Sequence, residues 1–204
     1  MAQITTGIRW ILSNSFIYES FQKFMGMHNV RKEFVSKYIT PHNVDSILDI
    51  GCGPADILEF LPKLDYHGFD ISNNYINTAK KKFGNKGNFY AKALTCKAIK
   101  KLPDFDVVLM NGVLHHLDDS TAREMIKLSK IALRNGGRLL TLDTAFAPNQ
   151  NPVARFLSSI DRGKNVRTAE GYLSLTQNFF SKTDVAQYNK SGIPITLCIM
   201  ECTK

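Results

Sequence analysis

The sequence predicts an α/β fold of three layers, in which a mostly parallel sheet carries helices on both faces and ends in an antiparallel C-terminal hairpin. Two observations lead to this prediction. Short β-type runs alternate with helical stretches through the middle of the chain, which is typical of parallel strands joined by helices. The last two β-type runs are joined by "SGIP" (residues 191–194), and so short a link permits only antiparallel pairing.

The elements follow one another in a regular order. Two helices open the chain; the first has Phe16 and Phe21 on its apolar face, and the second covers about residues 29–39 and stops at Pro41. Five strands are predicted at Ser46–Ile50, Tyr66–Asp70, Asn88–Ala93, Phe105–Asn111 and Arg138–Asp143. Helices are predicted between them at Pro54–Leu61, Asn73–Phe83 and Ser120–Leu133, the last ending at Gly136.

The C-terminal part departs from this alternation. "NPVARFLSSI" predicts a helix capped by Asn151, with an apolar face of Val153, Phe156, Leu157 and Ile160. A second helix from about Thr168 and two strands, 184–190 and 195–202, complete the chain. We expect one domain, with a helical cap (1–43), an α/β core (44–143), an insert with helices (144–181) and a terminal hairpin (182–204).

Composition is typical of one globular domain, with 204 residues of which 44% are hydrophobic. The net charge of +8 matches the eight lysines between Lys80 and Lys101, a segment without an acid. A solvated lysine face is the preferred interpretation, and peripheral contact with a membrane or nucleic acid is the alternative.

The cysteines and the N-terminal residues argue against zinc-binding, disulfide-linked and membrane-spanning classes of protein. Cys52, Cys96, Cys198 and Cys202 show no CxxC spacing. Cys198 and Cys202 lie roughly 13 Å apart on an extended strand, too far for a disulfide. Neither a zinc site nor a disulfide framework is indicated, and no metal is expected. The apolar piece Gly7–Leu12 is too short for a membrane span and lacks a cleavage site, so a cytoplasmic location is expected.

The stretch "DIGCGPAD" (Asp49 to Asp56) is the most informative motif. A strand runs into a glycine turn and then a helix, an arrangement in which backbone N–H groups face a ligand. Gly51 and Gly53 permit close approach because neither carries a Cβ. Asp56 replaces the third glycine of the dinucleotide pattern, and its charge opposes a pyrophosphate. The turn therefore favours an adenosine-bearing ligand without phosphates.

S-adenosylmethionine is such a ligand, since a sulfonium joins its adenosine to an amino acid. Asp49, at the end of the first strand, suits the positively charged ammonium group directly or through water. Asp70 closes the second strand 19 residues after Gly51, where a carboxylate accepts hydrogen bonds from both ribose hydroxyls. The alternative for Asp70 is a cap on the next helix near "SNN".

Four motifs carry a family resemblance: "ILDIGCGPADILEFLP", "YHGFDIS", "FDVVLMNGVLHHLDD" and "LRNGGRLLTLD". In this order and at these spacings, residues 44–143 resemble the class I S-adenosylmethionine-dependent methyltransferases (EC 2.1.1 type). "DRGKNVRT" (Asp161 to Thr168) further resembles small bacterial methyltransferases of unassigned substrate. The resemblance implies a Rossmann-like three-layer sandwich whose seven-stranded sheet ends in an antiparallel strand.

The family implies a role for each matching position. The methionyl part is held by the turn of Asp49, Gly51, Cys52 and Gly53, the ribose by Asp70, and the adenine by Ile71, while Asn111 and Gly112 form the wall beside the sulfonium. One position departs from the family. Ala93 stands where many members carry an acid that binds the adenine amino group, and backbone groups around Ala93 and Leu94 are expected to take its place.

The candidate base for a hydroxyl acceptor is His116, and after it His115. The sulfonium leaving group departs neutral, so positioning supplies most of the rate, but a hydroxyl must also lose a proton. Both histidines follow the fourth strand, at the sheet edge where ligands bind. Adjacent residues point different ways, so at most one is expected to face the acceptor. The alternative is that both are structural, one under the cofactor and one paired with Asp118 or Asp119.

Acceptor selection is expected from the N-terminal helices and from the insert after the fifth strand. The candidate residues are Trp10, Tyr18, Arg155, Arg162, Lys164 and Arg167. Arginines beside a pocket commonly bind carboxylate or phosphate, which predicts a hydroxyl on a small anionic metabolite, a sugar or a lipid-linked substrate. The alternative is a surface loop tied by an ion pair between Asp161 and an arginine. Oligomeric state is not predicted.

Three other functions share some of these sequence features. A nicotinamide oxidoreductase shares Asp70 and the glycine turn, but Asp56 and the C-terminal hairpin argue against it. A nucleic-acid or protein methyltransferase would use the lysine segment, but "NGVLHH" is not the Asn/Asp-Pro-Pro-aromatic motif of base amino methylation. A non-catalytic S-adenosylmethionine-binding protein would keep Asp49 and Asp70 and tolerate loss of both histidines.

Overall fold

The computed structural model describes residues 26–159, 161, 163–189 and 195–204. Its strands are β1 (Ser46–Ile50), β2 (Asp65–Asp70), β3 (Asn88–Ala91), β4 (Phe105–Asn111), β5 (Leu133–Phe146), β6 (Arg167–Thr168), β7 (Lys182–Asn189) and β8 (Thr196–Thr203). Its α-helices are α1 (Met27–Tyr38), α2 (Asn73–Phe83), α3 (Cys96–Ile99), α4 (Asp119–Ala132), α5 (Pro152–Ser159) and α6 (Ala169–Thr176). The first predicted helix, with Phe16 and Phe21, lies outside the described residues.

The sheet confirms the predicted topology. Seven strands lie in the order β3-β2-β1-β4-β5-β8-β7, and β6 pairs with β5 beside them. The five strands from β1 to β5 are parallel, whereas β8 runs antiparallel to both β5 and β7. From β1 the chain continues to β2 on one side and returns to β4 on the other. Ligands bind at such a reversal point, outside the carboxyl ends of the strands.

Helices cover both faces of the sheet, because consecutive strand residues point to opposite sides. Ile47 of β1 packs in the apolar cluster that contains buried residues of α1 and α2. Leu48, its neighbour, packs in the opposite cluster with buried residues of α4 and α6. The three-layer sandwich predicted from the alternating pattern is therefore confirmed.

Two predicted boundaries are wrong for local reasons. The helix expected over Pro54–Leu61 is a short 3₁₀ turn at Asp56–Glu59, because the preceding residues form the glycine turn. The helix predicted over Ser120–Leu133 ends at Ala132, but β5 begins at once at Leu133 and not at Arg138 as predicted. Gly136, with φ of +76°, lies in the irregular start of β5, where the register against β4 shifts.

Helix α5 has the predicted position but not the predicted buried face. The Asn151 side chain accepts a hydrogen bond from the Val153 N–H (2.8 Å), as expected of a cap. However, Val153 is 56% and Phe156 61% exposed, whereas the buried side chains are the small residues Ala154 and Ser158. Ser158 lies against the Ala145 carbonyl oxygen (3.4 Å), so small side chains bring this helix close to β5.

The lysine segment lies at an edge of the sheet. It contains the last turn of α2, the edge strand β3, and α3, which the sequence did not predict. Lys82 Nζ lies 3.1 Å from Oδ1 of Asp56. Within the described ranges, none of the helices has the length and apolar character needed to cross a membrane.

Candidate functional site

The glycine turn after β1 lies in the left-handed backbone region. Gly51, Gly53 and Ala55 have φ of +72°, +55° and +58°. A Cβ at Gly51 would lie 2.6 Å from Cγ2 of Val113, so no larger residue fits without a shift. A Cβ at Gly53 would meet no described atom within 4 Å, so the described part of the chain leaves this side of the turn open. Ala55 is strained there by about 1 kcal/mol, and such strain is typical of functional turns.

Asp49 is buried beneath this turn with half of its carboxylate unpartnered. It is 3% exposed, and its Oδ2 accepts a hydrogen bond from the Tyr66 hydroxyl (2.7 Å). Its Oδ1 is buried and has no hydrogen-bond partner among the residues that the structure describes. Burial raises the pKa of Asp49 to about 7, the Tyr66 bond lowers it, and the Asp70 charge raises it further. A cationic ligand would satisfy the free oxygen, so the site fits the ammonium group of a methionyl ligand.

Asp70 connects the ends of β1 and β2. Its Oδ2 accepts from the Gly53 N–H (3.0 Å) and its Oδ1 from the Ser72 N–H (2.7 Å). Ser72, not Asp70, caps α2, because its hydroxyl accepts from the Tyr75 N–H. The Asp70 carboxylate therefore shapes the turn and stands at the predicted ribose position.

Replacing Asp70 by alanine is expected to weaken S-adenosylhomocysteine binding. Each charge-assisted bond lost is worth about 1.5–3 kcal/mol, or roughly 10- to 150-fold in affinity. Calorimetry with Asp70→Asn beside Asp70→Ala separates the charge from the shape of the turn. Asp65→Ala, at the other end of the same strand, is the matched control. Equal affinities for Asp70→Ala and the control would disprove the ribose assignment.

The other predicted cofactor residues lie around the same opening. Ile71, the predicted adenine-packing residue, is 57% exposed. Within the described ranges the buried Oδ1 of Asn111 has no hydrogen-bond partner, and Gly112 has φ of +73°. Ala93 is exposed and Leu94 is 4% exposed, just beyond the end of β3. The free oxygens on Asp49 and Asn111 and the open face of Gly53 fit an adenosyl amino acid.

Cys52 lines the turn without being a reactive thiol. It is half-buried, and its backbone N–H donates to the Phe69 carbonyl (3.1 Å), as does that of Gly51 (2.7 Å). Burial raises the pKa of the Cys52 thiol well above its ordinary range. Its contribution to the site is therefore the backbone that anchors the turn to β2.

The two histidines lie side by side on a 3₁₀ turn (Leu114–His116) after β4. Their ring centroids are 4.1 Å apart, so the expectation that adjacent residues point different ways is wrong here. His115 is buried and its Nδ1 lies 2.8 Å from Oδ1 of Asp143, whereas His116 is half-buried. A Cβ on Gly112 would lie 3.8 Å from Cε1 of His115, so the pair adjoins the predicted sulfonium wall.

Asp161 lies on the other side of His115. Its Oδ1 is 3.3 Å from His115 Nε2 and accepts from the Gly163 N–H (2.7 Å). A Cβ on Gly163 would come within 2.3 Å of His115, so only glycine permits this approach. From the sequence, Asp118 or Asp119 was the alternative partner of one histidine. In the structure, Asp118 instead caps α4 by accepting from the Thr121 N–H, and Asp119 pairs with Arg167.

Arg167 stabilises the fold of the insert. Its guanidinium donates to the backbone carbonyl oxygens of Leu114 (2.9 Å), Leu117 (2.8 Å) and Asn165 (2.8 Å), and to Asp119 Oδ1 (2.6 Å). Its side chain is 11% exposed. The arginine therefore holds the insert against the histidine turn, and we do not propose it as an acceptor ligand.

The other residues predicted to bind the acceptor are exposed or lie outside the described residues. Lys164 is exposed, and Arg155 is exposed with its guanidinium 5.7 Å from the centre of the Phe146 ring. Trp10, Tyr18 and Arg162 lie outside the described residues. A role of Arg155 and Lys164 in binding an anionic group thus remains a prediction.

Sequence reasoning missed two residues that position the site, Tyr66 and Asp143. Asp143 is 1% exposed and near the end of the parallel part of β5, like Asp49 in β1 and Asp70 in β2. An acid at the carboxyl end of a strand was therefore a signal that could have identified it. Nothing local marks Tyr66, because its contact with Asp49 depends on the pairing of β1 with β2.

Fold and site together define a class of α/β protein that holds an adenosyl amino acid at the carboxyl ends of its strands. Residues 48–139 match the family model described as "Methyltransferase domain". A curated relative is the ubiquinone/menaquinone biosynthesis C-methyltransferase UbiE of Desulfotalea psychrophila, 28% identical over 141 residues. That match covers 65% of this chain and 54% of the relative, so the chain spans about half of the relative's length.

Solved structures share the fold. An O-methyltransferase family protein from Burkholderia thailandensis superposes with a TM-score of 0.69 at 16% identity, over 100% of this chain and 65% of that one. The plantazolicin methyltransferase BpumL, solved with a substrate analogue and S-adenosylhomocysteine, gives a TM-score of 0.65 at 18% identity, over 96% and 90% of the two chains.

The cofactor-binding core of this chain thus matches a methyltransferase domain over residues 48–139, and its fold is that of the class I S-adenosylmethionine-dependent methyltransferases. The predicted family, fold and cofactor are thereby confirmed. The departure at Ala93 does not change this assignment, since the turn, the acids and the strand order all agree with it.

Proposed function

We propose that this chain transfers the methyl group of S-adenosylmethionine to a hydroxyl of a small anionic molecule. The observation that supports a hydroxyl as the acceptor is the histidine pair beside Gly112. His115 is hydrogen-bonded to Asp143, and half-buried His116 lies next to it. Imidazole removes a hydroxyl proton efficiently near neutral pH. The O-methyltransferase family among the structural neighbours supports the same choice of acceptor atom.

The reaction is a displacement in line with the sulfonium bond. The acceptor oxygen forms a bond to the methyl carbon while the carbon–sulfur bond breaks, and S-adenosylhomocysteine leaves as a neutral thioether. His116 accepts the proton that the hydroxyl loses. Asp143 acts as a positioning residue, because it accepts the Nδ1–H of His115 and so fixes the ring beside His116.

The anionic character of the acceptor rests on Arg155 and Lys164. Both cations are exposed on the segment that follows β5, and a carboxylate or phosphate is the group that such side chains bind. A screen for release of S-adenosylhomocysteine with hydroxy acids and sugar phosphates tests this choice. Neutral hydroxyl compounds of similar size provide the comparison, and turnover restricted to them would disprove an anionic acceptor.

Replacing His116 by asparagine is expected to lower turnover by about 100-fold, the usual contribution of a general base. The affinity for S-adenosylhomocysteine is expected to stay within about twofold, because the cofactor is bound through other residues. His42→Asn, an exposed histidine in the loop before β1, is the matched control. Unchanged turnover in His116→Asn would mean that the acceptor needs no base at this position, as the non-catalytic alternative also predicts.

A further inference from the structure

His115, His116 and Asp161 form a cluster of metal-ligating groups. The ligand atoms they offer all lie within 4.8 Å of one another. The cysteine spacings indicate no metal site, and Asp161 is distant from the histidines in the chain. Two imidazoles and one carboxylate form the ligand set of many catalytic zinc sites, which leave a further position open.

Asp143 gives His115 the form that a metal requires. Its Oδ1 lies 2.8 Å from Nδ1 of His115 and also accepts from the backbone N–H of that residue (3.2 Å). With the proton held on Nδ1, the lone pair of Nε2 points to the other side of the ring. This carboxylate–histidine arrangement orients the imidazole of most protein metal sites. Asp143 is also 1% exposed, and its buried charge gains from a positive partner.

The spacing of the cluster agrees with tetrahedral coordination. Nitrogen and oxygen ligands each about 2.0–2.2 Å from zinc lie roughly 3.3–3.5 Å from one another. His115 Nε2 and Asp161 Oδ1 are 3.3 Å apart. All the ligand atoms lie within 4.8 Å of one another, so the wider separations would have to shorten by about 1 Å to reach tetrahedral spacing.

We propose that His115, His116 and Asp161 bind a divalent transition metal, with zinc the expected ion. The inference rests on the proposed function, since the open position adjoins the sulfonium wall at Gly112 and the acceptor oxygen would bind there. The ion would lower the pKa of the coordinated hydroxyl, and the released proton would pass to solvent. In the metal-loaded protein His116 is a ligand, and the ion takes the place of His116 as the group that activates the hydroxyl.

Cobalt(II) is the probe, because a protein site of low coordination number gives it a strong visible absorption that the aqueous ion lacks. The chelator-treated full chain is titrated with cobalt chloride. We expect saturation at one equivalent, and loss of the absorption when one equivalent of zinc is added. In Asp161→Asn, which keeps an oxygen for the Gly163 N–H, and in His116→Gln, we expect cobalt affinity to fall by about 10-fold or more.

His28→Asn is the matched control, since His28 faces Glu59 in an exposed histidine–carboxylate pair (3.5 Å) far along the chain. It is expected to bind cobalt like the parent chain. A spectrum identical to that of the aqueous ion would overturn the proposal and leave His115 as an imidazole hydrogen-bonded to two carboxylates. Retention of the site in Asp161→Asn would overturn it as well. Calorimetry with S-adenosylhomocysteine on the metal-free chain tests cofactor binding separately, and the screen with hydroxy acids and sugar phosphates tests the proposed function.

Discussion

Asp49→Asn is expected to abolish most cofactor affinity while raising the stability of the ligand-free protein. The carboxylate is buried, its Oδ1 has no partner in the part of the chain that the structure describes, and burial raises its pKa to about 7. Asparagine keeps the acceptor for the Tyr66 hydroxyl but carries no charge to bury. Loss of the charged contact with the ligand ammonium is worth about 1.5–3 kcal/mol, or roughly 10- to 150-fold in affinity.

The gain in stability is expected to depend on pH with a definite sign. The folded-state pKa of Asp49 is raised above that of the unfolded chain, so the folded protein binds an extra proton between about pH 4 and pH 7. Its stability therefore falls as the pH rises through that window. Asp49→Asn does not lose stability in this way. Its melting temperature is therefore expected to equal that of the parent near pH 4 and to exceed it by several degrees near pH 8. The corresponding gain in the free energy of unfolding has an upper limit of about 4 kcal/mol.

Thermal unfolding of both proteins across this range, without ligand, measures the effect. Calorimetry with S-adenosylhomocysteine at pH 6 and 7.5 provides the second readout. Parent affinity is expected to be about eightfold higher at pH 7.5 than at pH 6, because the carboxylate must be ionised to bind the ammonium. Asp49→Asn is expected to show no such change. A variant that is less stable than the parent at pH 8 would contradict the account of an unsatisfied buried carboxylate.

Arg167→Lys is expected to destabilise the protein by about 3 kcal/mol, which corresponds to roughly 6–12 °C in melting temperature. The guanidinium donates in several directions at once, to the carbonyls of Leu114, Leu117 and Asn165 and to Asp119. A lysine ammonium cannot span these acceptors, and buried carbonyl oxygens would lose their donors. Because Asn165 and Asp161 lie on the same loop, the contact of Asp161 with His115 is expected to loosen too.

Arg155→Lys is the matched control for stability, since this arginine is exposed on α5. Its change is expected to remain within about 0.5 kcal/mol. The measurement is the midpoint of denaturant unfolding of the three proteins. Similar midpoints for Arg167→Lys and Arg155→Lys would show that Arg167 is free to bind an acceptor, as the sequence had predicted.

The sequence by itself determined the layered fold and the cofactor turn, because both depend on signals that are local in the chain. Alternating β-type and helical stretches predicted the parallel sheet, and the short link after β7 predicted the antiparallel pairing with β8. Gly51, Gly53 and the acids Asp49 and Asp70 sit at strand ends, which the topology brings to one edge. Boundaries were less predictable, since the end of α4 is set by the immediate start of β5.

Only the tertiary structure decided which side chains surround the histidines. Arg167 and Leu117 are separated by 50 residues and joined by a hydrogen bond, and Asp143 and Asp161 reach the two nitrogens of His115 from different segments. Sequence patterns identify a residue's type and its element, whereas these contacts depend on how the loop after α5 packs against the turn after β4. The role of Arg167 therefore differs from the expected one, and the metal-ligating cluster became visible only in three dimensions.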